Sequence, residues 1–320
     1  MILPDDIDDK ARKIREVANK LGWTSDISSL INRVKQMDNG LVQEDEFIYI
    51  LNWSNKCSLI HKLDQFHIPP NAKKKYSIPD LFVVFNHKGK ELSFFIEIKT
   101  SKYNNLSWSE KYYQGLVNYS KATGVPILIA WKWRSFDIWT LFELNYFQKS
   151  VSNYKISFKK AHTENLMSKL AGDFFIVPYD DIGLHFKFKK NKIIETKEND
   201  FVWQTVFESI YLTGNEKKEI TDINTGILSY LFSLSMEDTV THTDTHVIYN
   251  FTPTNKSAFA QSIPVRLAQA FSNSEVNWLK KIKNQEFSIK YDKLLDTLTK
   301  AIDKEVIRNI FHIIPRSEEW

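Results

Sequence analysis

Two short apolar runs, LFVVF (81–85) and LSFFIEIK (92–99), are separated only by NHKGK (86–90), and they constrain the fold of this chain more than any other feature. Runs of this length rich in Val, Ile and Phe form strands, and a polar, glycine-containing link between them closes a hairpin. Side chains alternate across a strand. Leu92, Phe94, Ile96 and Ile98 therefore face one way, and Ser93, Phe95, Glu97 and Lys99 the other. Glu97 and Lys99 become neighbours near the strand end. Asp80 follows Pro79 at the start of the partner strand, and the hairpin register can bring it beside Glu97. Two carboxylates and an ammonium then converge where the strands open.

The rest of the chain supplies elements around this hairpin. Residues 5–37 read as two short helices about Gly22, with Ile14, Val17 and Leu21 followed by Ile27, Leu30, Ile31 and Val34 at helical spacing. A helical cap on the adjoining domain is preferred there, and a helix-turn-helix DNA reader is the alternative. Residues 41–53 form a further helix bearing Glu44 and Glu46, and a strand runs from Cys57 to about His67. Ser107 to Glu110 has capping-box form and opens a helix to about Ala122, which Gly124 stops. Pro126 releases the chain into ILIAW (127–131), and FDIWTLF (136–142) is a last strand. The order helix, strand, strand, strand, helix, strand, strand predicts a mixed α/β core. Beyond it come a helix (161–171), the strand-like pieces FFIVP and HFKFK, and KKNKIIETKEND (189–200) as a linker. Residues 201–320 mix helices with one alternating strand, THTDTHVIYNF. The division expected is a helical N-terminal extension (1–40), a central domain (41–197) and a C-terminal α+β unit (198–320).

Composition narrows the class. The single Cys57 excludes an internal disulfide framework and suits a reducing cytoplasm. No stretch reaches the roughly 20 apolar residues of a membrane span, and the acidic start MILPDDIDDK lacks a signal-peptide pattern. A soluble cytoplasmic protein is expected. Net charge is only +4, but residues 51–160 hold 17 Lys and Arg against 7 Asp and Glu, whereas residues 201–320 hold 13 against 15. A positive field in the middle of the chain fits a polyanion such as nucleic acid. A solvated lysine-rich surface is the plainer alternative.

Phosphodiester hydrolysis requires a hard cation to polarise the phosphoryl oxygen and activate a water. Mg²⁺ takes oxygen ligands, keeps several waters and needs only one or two protein carboxylates. Asp80 and Glu97 would be those ligands, with the Ile98 carbonyl as a third and Mn²⁺ able to substitute. Lys99 would orient or help deprotonate the water and offset transition-state charge. An ordinary salt bridge between Glu97 and Lys99 is the competing reading.

IPD (78–80) with IEIK (96–99) resembles the two halves of the motif of the PD-(D/E)XK nuclease superfamily. The likeness extends from about Gly40 to Leu144 and is greatest to archaeal Holliday-junction resolvases and restriction-like endonucleases. It rests on Glu44 and Glu46, PDL (79–81), EIKT (97–100), the helix 108–122 and VPILIAWKWR (125–134). The resemblance implies a restriction endonuclease-like mixed sheet flanked by helices. It also implies a Mg²⁺-dependent DNA endonuclease serving restriction or antiphage defence, junction resolution or mobile-element cutting. A homodimer or partner subunits would be its assembly. The family's helix carboxylate falls on Glu44 or Glu46, with Glu46 preferred. A related exonuclease branch carries Gln-x-x-x-Tyr. Here Gln114 is followed by Asn118 at that spacing, so Gln114 either touches the lysine or a phosphate or faces solvent. A non-catalytic nucleic-acid-binding module, or a subunit active only within a complex, is the alternative function.

Further basic residues are candidates for phosphate contacts: Lys73, Lys74 and Lys75 before the first strand of the hairpin, Lys102 after its second, and Lys132 with Arg134. Trp131 and Trp133 could stack on a base, although core positions suit them better. His242, Asp244 and His246 alternate and could hold a metal, with a polar strand face as the preferred reading.

Overall fold

The computed structural model describes residues 43–64, 69, 71–72, 74–197, 200–220, 236–253, 258–261, 264 and 290–315. The helical pair expected over 5–37 lies outside them, as does Lys73. A helix, α1 (43–54), leads into β1 (Cys57–Lys62), β2 (Leu81–His87) and β3 (Lys90–Ser101). The chain continues through β4 (Asn105–Ser109), α2 (Glu110–Thr123), β5 (Ile127–Trp133) and β6 (Ile138–Glu143). Five of these strands form one sheet in the order β1-β2-β3-β5-β6. Its pairings are antiparallel except β3 with β5, which run parallel. A parallel pair cannot be joined by a tight turn, and β4 with α2 make the crossover. Ser109 rather than Ser107 caps α2, its hydroxyl accepting from Tyr112 N, because Ser107 lies inside β4, paired with Lys155, and Ser109 is the last residue of that strand. Gly124 ends the helix at φ 72°, and its N–H donates to Ser120 O.

Parity along β5 explains why ILIAW reads as continuous apolar sequence. Leu128 and Ala130 pack with Phe47, Leu51, Ile96, Ile98 and Leu141 on one face. Ile127, Ile129 and Trp131 pack with Phe95, Trp108, Leu116 and Phe142 on the other. A strand buried on both faces needs no polar alternation. Helix α1 covers the first face and α2 the second, giving a mixed α/β core with a central sheet flanked by helices.

After β6 the chain forms β7 (Gln148–Ser150) and β8 (Asn153–Ser157), which join β4 in a small antiparallel sheet. The helix expected over 161–171 is instead two: α3 (Phe158–Thr163) and α4 (Met167–Ala171). Asn165 interrupts it by using its side-chain oxygen to accept from both Leu141 N (2.9 Å) and Met167 N (3.0 Å). Asn competes with helical backbone in this way.

The remaining strands are β9 (Phe175–Pro178), β10 (Gly183–Lys197), β11 (Asp200–Thr213), β12 (Glu219–Ile220), β13 (Met236–His242), β14 (His246–Pro253) and β15 (Ala258–Phe259). Helix α5 (Tyr291–Asp303) and β16 (Ile307–Phe311) complete the described chain. They build a second five-stranded sheet, β12-β11-β10-β14-β13, and a three-stranded one, β15-β9-β16. Residues 189–197 of the expected linker are therefore strand. Their lysines and isoleucines are paired in a long bulged ribbon, Lys189 with Val206 and Ile193 with Trp203. THTDTHVIYNF is likewise not one strand but a hairpin, turning where Thr243 N donates to His246 O at 2.9 Å.

The C-terminal α+β region is joined to the first sheet by apolar and polar contacts. Trp53 of α1 belongs to its core with Ile176, Leu184, Leu212, Leu294 and Leu298. Gln261 accepts from Trp139 N (2.8 Å) and donates through Nε2 to Asp173 Oδ2 (2.9 Å), while its own N–H donates to Asp173 Oδ1 (3.1 Å). Among the described residues, no helix is long and apolar enough to cross a membrane.

Burial pushes the Asp173 carboxyl up to about 7, against the pull of hydrogen bonds from Gln261 and Phe174 N. Its unfolded value is about 3.9. Between those limits the native state holds a proton that the unfolded chain has released. The group's contribution to stability is thus greatest at low pH and is lost as pH rises through the folded value. Asp173→Asn removes this titration. Urea unfolding should therefore show wild type losing stability relative to that variant by about 1 kcal/mol per pH unit between roughly pH 4 and 7. Parallel pH profiles for the two proteins would refute this.

Candidate active site

Asp80 sits one residue before β2 and is held from three sides. Its N–H donates to Ile96 O (3.0 Å), its carbonyl accepts from Leu63 N (2.9 Å), and its Oδ2 accepts from Ile98 N (2.7 Å). Leu81 pairs with Ile96, so Asp80 lies opposite Glu97 and shares its face of the sheet. The hairpin register delivers the carboxyl, and the ladder of β3 then fixes its orientation.

Glu97 is 1% exposed. Its Oε1 accepts from Lys99 Nζ and from the Tyr112 hydroxyl, which comes from the first turn of α2. Lys99 Nζ also donates to the Ile98 carbonyl at 3.2 Å and lies 5.5 Å from the centre of the Tyr112 ring. Glu97 Oε2 is buried and accepts no hydrogen bond from any described residue. Burial, then the neighbouring Glu97 charge, holds the Asp80 carboxyl well above the usual carboxylate range. For Lys99 burial favours the neutral amine, but Glu97, Tyr112 and Asp80 together outweigh it and keep the ammonium charged. Burial and Glu97 likewise raise the Tyr112 hydroxyl, so it remains a donor.

The structure thus brings Asp80, Glu97, the Ile98 carbonyl and Lys99 together and adds Tyr112, which the motif alone does not reveal. A signal for it exists in the sequence: Tyr112 is the third residue of a helix whose cap follows the motif strand, on the face where Glu97 and Lys99 emerge. Gln114 is not part of the cluster. It donates to Asn118 Oδ1 (3.0 Å), and Asn118 in turn donates to Lys75 O (3.1 Å).

Glu46 does not face this site either. Strand parity puts Lys132 on the opposite face of the sheet, where its ammonium meets both Glu46 oxygens (2.6 and 2.8 Å) and Asp137 Oδ1 (2.6 Å). Trp139 Nε1 completes the cluster with a 2.9 Å bond to Glu46 Oε1. Lys132, expected to contact nucleic acid, is 6% exposed and is consumed in this pair. The carboxylate of α1 that acts electrostatically on Asp80 is Glu44, which also lies 3.6 Å from Lys62 Nζ. Lys74, Lys75, Lys102 and Arg134 are exposed. Trp131 is fully buried. His242 and His246 flank the β13–β14 turn rather than sharing a face. His246 lies 3.0 Å from Glu208 Oε2 and bonds Thr245 Oγ1.

Among the described residues, no group of three or more His, Cys, Asp or Glu side chains is gathered for a metal ion. The donors at Asp80 and Glu97 nevertheless fit a hard divalent cation, which binds through one or two carboxylates and fills its shell with water. The Glu97 Oε2 oxygen meets no donor among the described residues, and a cation there would relieve the repulsion between the two carboxylates.

A family model, archaeal Holliday junction resolvase (Hjc), matches residues 69–172. That is a PD-(D/E)XK-like nuclease match over this part of the chain, and it contains Asp80, Glu97, Lys99 and Tyr112. A solved structure of Hjc from Archaeoglobus fulgidus, a Holliday junction resolvase from an archaeal hyperthermophile, matches at 18% identity with a TM-score of 0.33. The match covers 42% of this chain and 96% of that one. No curated protein matches.

The two ion clusters predict different phenotypes. Lys132→Met strands a buried carboxylate and should lower unfolding free energy by about 3 kcal/mol. Adding Glu46→Gln, which still accepts from Trp139, should recover most of that loss. Lys132→Met with wild-type stability in chemical denaturation would show that the pair is not buried as described.

Proposed function

We propose that this protein is a divalent-metal-dependent DNA endonuclease whose site is Asp80, Glu97, the Ile98 carbonyl and Lys99, positioned by Tyr112. The observation that carries the reading is the buried, unpartnered Glu97 Oε2 beside the charge-crowded carboxyl of Asp80, with a charged lysine alongside. The nuclease match over 69–172 supports it.

Bound there, Mg²⁺ would polarise the phosphoryl oxygen and make water acidic enough to attack. The chain's own residues do the rest. Asp80 and Glu97 would hold the cation where β2 and β3 diverge. Lys99, one-third exposed, reaches solvent and presents an ammonium that orients the water and offsets charge on the pentavalent transition state. Tyr112 and Lys99 together pin Glu97 Oε1, which leaves Oε2 as the oxygen that would take the metal. Exposed Lys74, Lys75, Lys102 and Arg134 supply positive charge for the flanking phosphates. The matched family resolves Holliday junctions by name, so branched DNA is the first substrate to try, with linear and supercoiled duplex beside it.

Purified protein should cut DNA in Mg²⁺ or Mn²⁺ and not in EDTA. Asp80→Ala and Lys99→Ala should each lose at least about 100-fold in rate, with circular dichroism unchanged. Tyr112→Phe removes one hydrogen bond to a charged group and should cost roughly tenfold. Equal cleavage by wild type and both alanine variants would exclude this site, and activity in EDTA would exclude the metal.

A further inference from the structure

On the face that carries Glu97 and Lys99, the next residue of β3 is Ser101, about 7 Å farther along the strand. There the strand ends in a cleft of about 860 Å³, open to solvent, whose lining includes Ser101, Lys102, Tyr103, Ser107, Arg134 and Ser135. No carboxylate of the described residues lines it. Two turns form its walls, and they are braced against each other. Arg134 N donates to Ser101 O (2.9 Å), Ser135 Oγ to Lys102 O (3.2 Å), and Tyr103 N to Ser101 Oγ (2.9 Å). Neither Lys102 nor Arg134 has an ion-pair partner among the described residues. Tyr103 is 67% exposed, an unusual state for a large aromatic ring held on a braced turn, and the Lys102 ammonium lies 5.4 Å from its centre.

We propose that this cleft receives an unpaired nucleotide next to the scissile phosphate, its base stacked on Tyr103 and its phosphate between Lys102 and Arg134. This rests on the nuclease reading and sharpens its substrate to DNA with a single-stranded segment at the cut, such as a flap or an opened branch. Each part has a physical reason. An aromatic face stacks any base without sequence preference, and two cations with several hydroxyls suit a phosphate. A base paired in the interior of a duplex has both faces covered by its neighbours and cannot lie on the ring. The step from Lys99 to Ser101, about 7 Å, spans at most about two nucleotides at the 3.4 Å rise of a stacked strand and fewer in an unstacked one, so the cleft addresses a nucleotide adjoining the cut. Bracing the turns in advance removes an ordering cost on binding.

The test uses the full chain in EDTA with two DNAs, a blunt duplex and the same duplex with a short single-stranded extension. Each carries 2-aminopurine, in the extension where there is one. Wild type should bind the extended DNA more tightly and quench its probe. Tyr103→Ala should reduce that preference by roughly 5- to 100-fold and abolish the quenching, while Tyr103→Phe keeps both. Equal preference in wild type and Tyr103→Ala, or no preference in wild type, would overturn the proposal. Cleavage assays on the same DNAs in Mg²⁺ separate the two readings. Ring-dependent binding without cleavage sinks the nuclease assignment and supports the cleft. Cleavage that is indifferent to Tyr103 does the reverse.

Discussion

Strand β3 pairs with β2 on one side and, in parallel, with β5 on the other, and the second pairing obliges the chain to cross the sheet between them. The crossing element is α2, which must pass over the face bearing Glu97 and Lys99. Its first turn therefore lands above the carboxylate, and Tyr112 arrives there as a consequence of topology. Burying Glu97 at 1% exposure would be prohibitive for a lone charge. The Lys99 ammonium and the Tyr112 hydroxyl, both on one oxygen, offset that cost and leave the other oxygen unused.

The sheet carries two Glu–Lys pairs, one per face, and comparing them shows what distinguishes a site from a structural pair. Glu46 has both oxygens engaged by Lys132, with Trp139 added, so neither oxygen is left without a donor. Glu97 has one oxygen saturated and one bare, and its lysine is partly in solvent. Composition is the same in both. Incomplete satisfaction is what separates the proposed site from the structural pair, in keeping with the rule that buried polar groups lacking partners in a native fold call for a reason.

Period-two alternation in LSFFIEIK is enough to place Glu97 and Lys99 together, and Pro79-Asp80 at the head of the partner run is enough to place the second carboxylate. The same alternation could exclude Lys132, since in ILIAWKW it falls with Leu128 and Ala130 on the other face. That step needs the direction of β5 relative to β3, which no local pattern encodes. Proximity to Phe47 favours Glu46 over Glu44 in the sequence, yet burial beside an apolar residue is what turns it inward to Lys132. Asn165 breaks a helix by bonding across to Leu141, a contact 24 residues away that propensity cannot foresee. The ribbon β10–β11 is hidden because its lysines and bulges blur the alternation, so 189–200 reads as solvated linker.

The bond from Leu63 N to Asp80 O closes the excursion between β1 and β2 at its base. The bond fixes where the chain leaves the sheet and where it rejoins it. Closure entropy grows only logarithmically with the length of such an excursion, about 0.6 kcal/mol for each doubling. Chain can therefore be inserted or removed there while the carboxyl of Asp80 stays where Ile96 and Ile98 hold it. That decouples two rates of change: what surrounds the carboxyl cluster can drift in length and content, while the cluster itself is kept in register.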